Sequence, residues 1–176
     1  IKNIQKNNSQ KIYKLLVWLF IQEKNFNKAL DYEISIDKKV TDNLTDIIDL
    51  ANISLSNNDY KTTQKALQYV LKNSNPSSFN YEYSSWKLLD IEFGKLKKQA
   101  IKKTTDVDEL IKKHQDFLHL FGIQSETITV LHNYCYLLAV ESNKEDNAIQ
   151  ILNQAIINPN LTKYDVATCK MELAKI

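Results

Sequence analysis

Catalysis and metal binding need side chains of the right kind brought together, so the histidines, cysteines and acids of this 176-residue chain are read first. His114, His119 and His132 are its three histidines. The first two stand five apart, which on a helix turns their rings to different faces, whereas a spacing of four would offer both to one ion. They read as solvated or structural residues, and no zinc site is expected. Cys135 and Cys169 lie inside apolar helical patterns and read as small buried hydrophobes, in preference to a disulfide or a reactive thiol. Asp106, Asp108 and Glu109 gather at a helix start, where carboxylates stabilise the helix dipole without chemistry. The 2 glycines are far apart, so there is no serine in a glycine elbow, no phosphate-cradling loop and no dinucleotide fingerprint. No catalytic residue, no metal and no cofactor is expected, and the chain is not expected to be an enzyme.

Charge narrows the partners. All 23 basic residues are lysine and the formal net charge is +2, so the planar fork with which arginine grips phosphates is missing and nucleic-acid binding is not favoured. Lys95, Lys97, Lys98, Lys102 and Lys103 form one basic stretch. It reads either as a solvated helical face or as a docking surface for an acidic partner, and the balanced total charge favours the first. No apolar run reaches the roughly 20 residues of a membrane span. Gly 2 and Pro 2 leave little to build sheets and irregular loops, so the chain must be mostly helix.

Apolar spacing locates the helices. Tyr13, Leu16, Val17 and Phe20 share one face of a helix over about 10–24, and Phe26, Ala29, Leu30, Ile34 and Ile36 define a second, ending near Lys39, whose lysines suit the negative end of the dipole. Moving on by 34 residues, Ile47, Leu50, Ala51 and Ser54 fall where the first four fell, and Tyr60 falls where Phe26 did. Asp59 caps the next helix, which carries Ala66, Leu67, Val70 and Leu71. Paired helices recurring at this period, none able to bury its apolar face alone, are the signature of a stacked solenoid.

The pattern resembles the tetratricopeptide repeats. Tyr13, Leu16, Phe20, Phe26 and Ala29 fill that family's roles in the first unit, and Leu50, Ala51 and Tyr60 do so in the second, with Val17, Ser54 and Thr63 as departures. The resemblance implies an all-α, right-handed α-α superhelix of about four helix pairs plus a terminal helix, with units over roughly 8–40, 42–75, 76–122, 124–159 and a partial 161–176. In the third unit the count breaks. A helix is expected to run past Gly94 to about Lys103, the next to open on a capping box from Thr105 and Asp108 or Asp106 and Glu109, and Gly122 to close it. Leu131, Tyr134, Cys135 and Leu138 open the fourth pair, and Thr162 with Asp165 caps a ninth helix. The start at Ile1 without Met and the end at Ile176 inside a helical pattern read as a segment of a longer or processed protein, whose array continues.

In such a superhelix the first helices line a concave groove. Stepping by the period from Trp18 reaches Asn52 and Trp86, and the matching position of the fourth unit is Tyr136. These are the expected partner-binding residues, the aromatics as anchors and Asn52 as a hydrogen-bonding group, with packing between repeats as the alternative for the tryptophans. Lys14 and Asn52 are similar to the carboxylate clamp of some relatives, but no Arg is present, and Asp49, Phe79 and Tyr83 stand where further clamp groups would be expected. The expected function is a protein-binding scaffold that takes a peptide or a partner helix; an RNA-binding helical repeat and a regulatory domain of a larger protein are the alternatives. Richness in Lys, Asn and Ile resembles bacterial tetratricopeptide proteins, those of the cell envelope among them.

Overall fold

The computed structural model describes residues 2–40 and 44–176, with side chains described at 10–36 and 44–176. Among the described residues the protein is all-α, with nine α-helices, one 3₁₀ turn, one π-helical segment and no strand. The chain divides into two compact units, Ile1–Ser85 and Trp86–Ile176.

The first unit holds α1 (Lys2–Gln22), α2 (Phe26–Val40), α3 (Leu44–Ser56), α4 (Tyr60–Asn73) and the start of α5 (Phe79–Lys97). Helix α1 packs on α2 and α3 on α4, while α2 also packs on α3 and α4. The faces follow the apolar spacing. Val17, Ile47, Leu50, Ala51 and Ser54 are buried on the first helices, and Phe26, Ala29, Leu30, Ala66, Leu67 and Val70 on the second. Tyr60 departs, being 37 % exposed where Phe26 is 4 %. The two small polar residues of this interface are accommodated by their own helices. Ser54 Oγ donates to Leu50 O at 2.8 Å, and Thr63 Oγ1 donates to Asp59 O at 2.9 Å and lies 3.3 Å from Ala51 O across the pair. The lysines expected to end α2 and the junction between units 8–40 and 42–75 lie outside the described side chains and residues.

The period is written into the turns. Lys24, at φ 57°, and Asn58, at φ 63°, are the left-handed residues that end α1 and α3, and they stand 34 apart. Around them the backbone hydrogen bonds repeat one for one. Asn25 N donates to Phe20 O and Lys24 N to Ile21 O, as Asp59 N does to Ser54 O and Asn58 N to Leu55 O. This is the Schellman pattern, which satisfies the last carbonyls of a helix and reverses the chain in one step.

In the second unit α5 passes through Gly94 but stops at Lys97, six residues short of Lys103. Lys98 N and Gln99 N tighten onto Lys95 O and Leu96 O, and the lysines there favour a C-terminus. Helix α6 (Thr104–Phe121) takes Lys103 as its N-cap with no side-chain cap bond, so Thr105 and Asp106 lie inside its first turn and neither expected capping box forms. Gly122 closes it at φ 78°, ψ 178°, donating to Leu118 O. A 3₁₀ turn (Ser125–Thr127), α7 (Ile128–Tyr136), a π segment (Leu137–Glu141), α8 (Glu145–Ile156) and α9 (Lys163–Leu173) follow. Thr162 and Asp165 do form the expected capping box at α9. The core gathers Phe93, Leu110, Phe117, Leu131, Leu137 and Leu152.

Candidate partner-binding residues

The five residues singled out on sequence divide between the units. Lys14, Trp18 and Asn52 belong to the first, Trp86 and Tyr136 to the second. Lys14 projects from α1 between two acids of other helices. Its Nζ lies 3.1 Å from Glu33 Oε1 on α2 and also pairs with Asp46 on α3. Partial burial works against the ammonium, but Asp46 and Glu33 outweigh it and hold the pKa above the ordinary lysine value. This cation is neutralised inside the protein. Glu33, buried at 6 % exposure, is the functional-looking residue that apolar periodicity passes over. Its signal was position: a lone acid four residues after Ala29 falls on the stripe that faces α1.

Asn52 is half-buried and accepts a 2.8 Å hydrogen bond from the Tyr83 hydroxyl, so its carboxamide is engaged within the first unit. Trp18 is 55 % exposed, the one exposed residue of the five. Phe79, 73 % exposed, stacks obliquely on Tyr83 at 5.9 Å.

In the second unit Trp86 is half-buried against the core, with the Lys87 ammonium 4.4 Å from its ring centroid. Tyr136 packs edge-on against Phe93 at 5.6 Å and carries Lys97 Nζ 4.8 Å from its ring centroid. With His132, Val140 and Glu172 it also lines an open cavity of about 400 Å³. The basic stretch is not one solvated face, because α5 ends within it, Lys97 lies on two rings and Lys102 pairs with Glu141 at 2.5 Å.

Burial holds the two cysteines of this unit, with His114 and His132, toward their neutral forms. Cys169 Sγ lies 3.7 Å from His132 Nε2, the geometry of a thiol and imidazole pair. Activation would require a thiolate beside an imidazolium. Burial pushes the Cys169 thiol up and the His132 imidazole down, and pushes Cys135 up to about 12. The pair is therefore held as thiol and neutral ring. His114 is fully buried, with Nδ1 2.8 Å from Leu110 O and Nε2 without a hydrogen-bond partner, while His119 is exposed, as a spacing of five requires. Among the described residues no three of His, Cys, Asp and Glu converge on a point where a metal could sit. No described helix is long and apolar enough to cross a membrane. Set against models of known families, against curated proteins and against solved structures, the chain matches none.

Proposed function

We propose that the protein is a scaffold for protein interaction, a right-handed superhelix of tetratricopeptide type that binds a peptide or a partner helix along its concave face and performs no catalysis. The observation that carries this reading is the turn geometry, whose left-handed residue and hydrogen bonds recur at a spacing of 34 residues in the first unit. A helix pair repeated by one rigid turn stacks its first helices side by side, and their outer surfaces then form a groove. Trp18 supports a binding role because a large aromatic 55 % exposed on such a helix offers apolar area at low entropic cost. Lys14, already neutralised by two acids, contributes to the stacking of helices more than to a partner.

The test begins with a random peptide library displayed against the whole chain. Selected peptides are then titrated against Trp18→Ala and Asn52→Ala, with thermal melting followed in parallel. Loss of at least tenfold in affinity in Trp18→Ala, with melting unchanged, is the expected outcome. Peptides that bind both variants as tightly as the original chain would place the binding surface elsewhere.

A further inference from the structure

One side-chain hydrogen bond in the first unit joins two first helices. The Tyr83 hydroxyl, on α5, donates to Asn52 Oδ1, on α3, at 2.8 Å. Tyr83 stands 34 residues after Asp49, and Asn52 stands 34 after Trp18. Within this unit the helix pair repeats at that spacing, down to the hydrogen bonds of its turn. The step that carries α1 onto α3 therefore carries Trp18 and Asp49 onto the two residues that meet, and Asp49 belongs beside Trp18 on the outer surface of α1 and α3.

Tyr83 and Asn52 satisfy each other, whereas Trp18 and Asp49 stay open. Trp18 is 55 % exposed, Asp49 is exposed with α1 in place, and neither makes a hydrogen bond or an ion pair among the described residues. The lysine that could answer the aspartate is engaged elsewhere, since Lys14 holds Glu33 and Asp46. Lys11, also exposed, stands two turns, roughly 10 Å, before Trp18 along α1. An indole and a carboxylate side by side attract the same thing. A cation over the ring is drawn by its quadrupole, and the neighbouring carboxylate adds a charge-assisted hydrogen bond. An anion would be repelled by Asp49, and an apolar side chain would strip water from the carboxylate without pairing it.

We propose that Trp18 and Asp49 together hold a lysine or arginine side chain of the bound peptide or helix, so that the partner is basic at its anchor. This rests on the binding face proposed above and names the chemistry that the face selects. The alkyl stem of the partner's side chain lies across the indole and its charged head reaches Asp49. The discrimination is local, because a chain of net charge +2 does not as a whole attract a basic partner.

Peptides selected against the whole chain supply the test. Among those whose binding is lost in Trp18→Ala, a Lys or Arg should recur at one position. One such peptide is titrated with that residue kept, replaced by norleucine and replaced by Glu. Norleucine should weaken binding at least tenfold, and Glu further. Asp49→Asn should weaken the basic peptide at least fivefold and leave the norleucine peptide unchanged, while Asp49→Lys should bind the Glu peptide at least tenfold more tightly than the original chain does. Melting should be unaltered in both variants, and the peptide substitutions read the same contact without changing the protein. Peptides that need Trp18 but share no basic residue overturn the cationic anchor and leave the binding face standing. So does a basic peptide that both Asp49 variants bind as the original does. No binder at all, or binders indifferent to Trp18, overturn the face and the anchor together.

Discussion

Gly94 and Gly122 are the only glycines, and they should respond to alanine in opposite ways. Gly94 lies inside α5 with open space where a Cβ would stand, so Gly94→Ala should stabilise the chain by about 0.5–1 kcal/mol through lower entropy of the unfolded state. Gly122 holds φ 78°, ψ 178°, a region that only glycine occupies without strain, and Gly122→Ala should cost about 1–3 kcal/mol. Urea unfolding of the two variants checks both signs. His114 makes a second residue-scale prediction. Burial lowers its pKa, although Glu92 and Asp90 on α5 act in the other direction. Above about pH 6.5 it is neutral in both states and costs nothing. As pH falls below that value the unfolded chain takes up a proton that the folded chain resists, and stability should fall by up to about 1.4 kcal/mol per pH unit until the lowered folded value is reached. His132, also lowered by burial, adds to this in the same sense. The acid-induced loss between pH 7.5 and 5, measured by urea unfolding, should shrink in His114→Gln. Periodicity marked His114 only as a residue unsuited to share a metal with His119; its burial and the orphaned Nε2 depend on how α5 and α6 close over it, which local spacing does not encode.

Helix identity was legible because the apolar spacing of α2, α3, α4 and α8 marks their buried faces, whereas on α1 only Val17 of the expected four is buried, Tyr13, Leu16 and Phe20 being half-buried, and a second apolar set, Ile12, Leu15 and Leu19, lies exposed. Helix ends were less so. Thr162 and Asp165 announce α9 because their reciprocal bonds are local, whereas α5 stops at Lys97 through i to i−3 tightening that no residue type forces. The turns carry the clearest element-scale prediction. Lys24 sits at φ 57°, where an L side chain costs about 1–2 kcal/mol, part of which glycine returns to the flexibility of the unfolded chain. Lys24→Gly should therefore stabilise by about 0.5–1 kcal/mol. Asn58→Gly, at φ 63°, should gain less, because asparagine tolerates the left-handed region. Equal gains at the two positions, read by thermal melting, would mean that the turns are not equivalent in energy as they are in hydrogen bonding.

At the scale of the whole chain, the 34-residue count breaks in the third unit, and beyond it the turn of the fourth pair comes one residue late. Asn143, at φ 53°, ends the π segment as Lys24 and Asn58 end α1 and α3, and the next helix again starts two residues later. Ala148 N donates to Lys144 O as Ala29 N does to Asn25 O and Thr63 N to Asp59 O. The one difference lies just before the turn. Lys144 N reaches back six residues to Leu138 O, where Asn25 N and Asp59 N reach back five. One extra residue is present and the π segment Leu137–Glu141 absorbs it, so that Tyr136 stands seven residues before Asn143 where Trp18 and Asn52 stand six before Lys24 and Asn58. Val140, 58 % exposed, is the member of that segment least tied to the core. Deleting it would let Lys144 N reach Leu138 O across five residues and turn the segment into ordinary α-helix, so the deletion variant should keep its helical circular dichroism and melt cooperatively within a few degrees of the original. Deleting Ala51, buried in the middle of α3, should instead rotate half of that helix by about 100° and unfold the first unit. If removing Val140 is as destructive as removing Ala51, the π segment is a required part of the second unit's packing and the correspondence of its turn with those of the first unit is accidental.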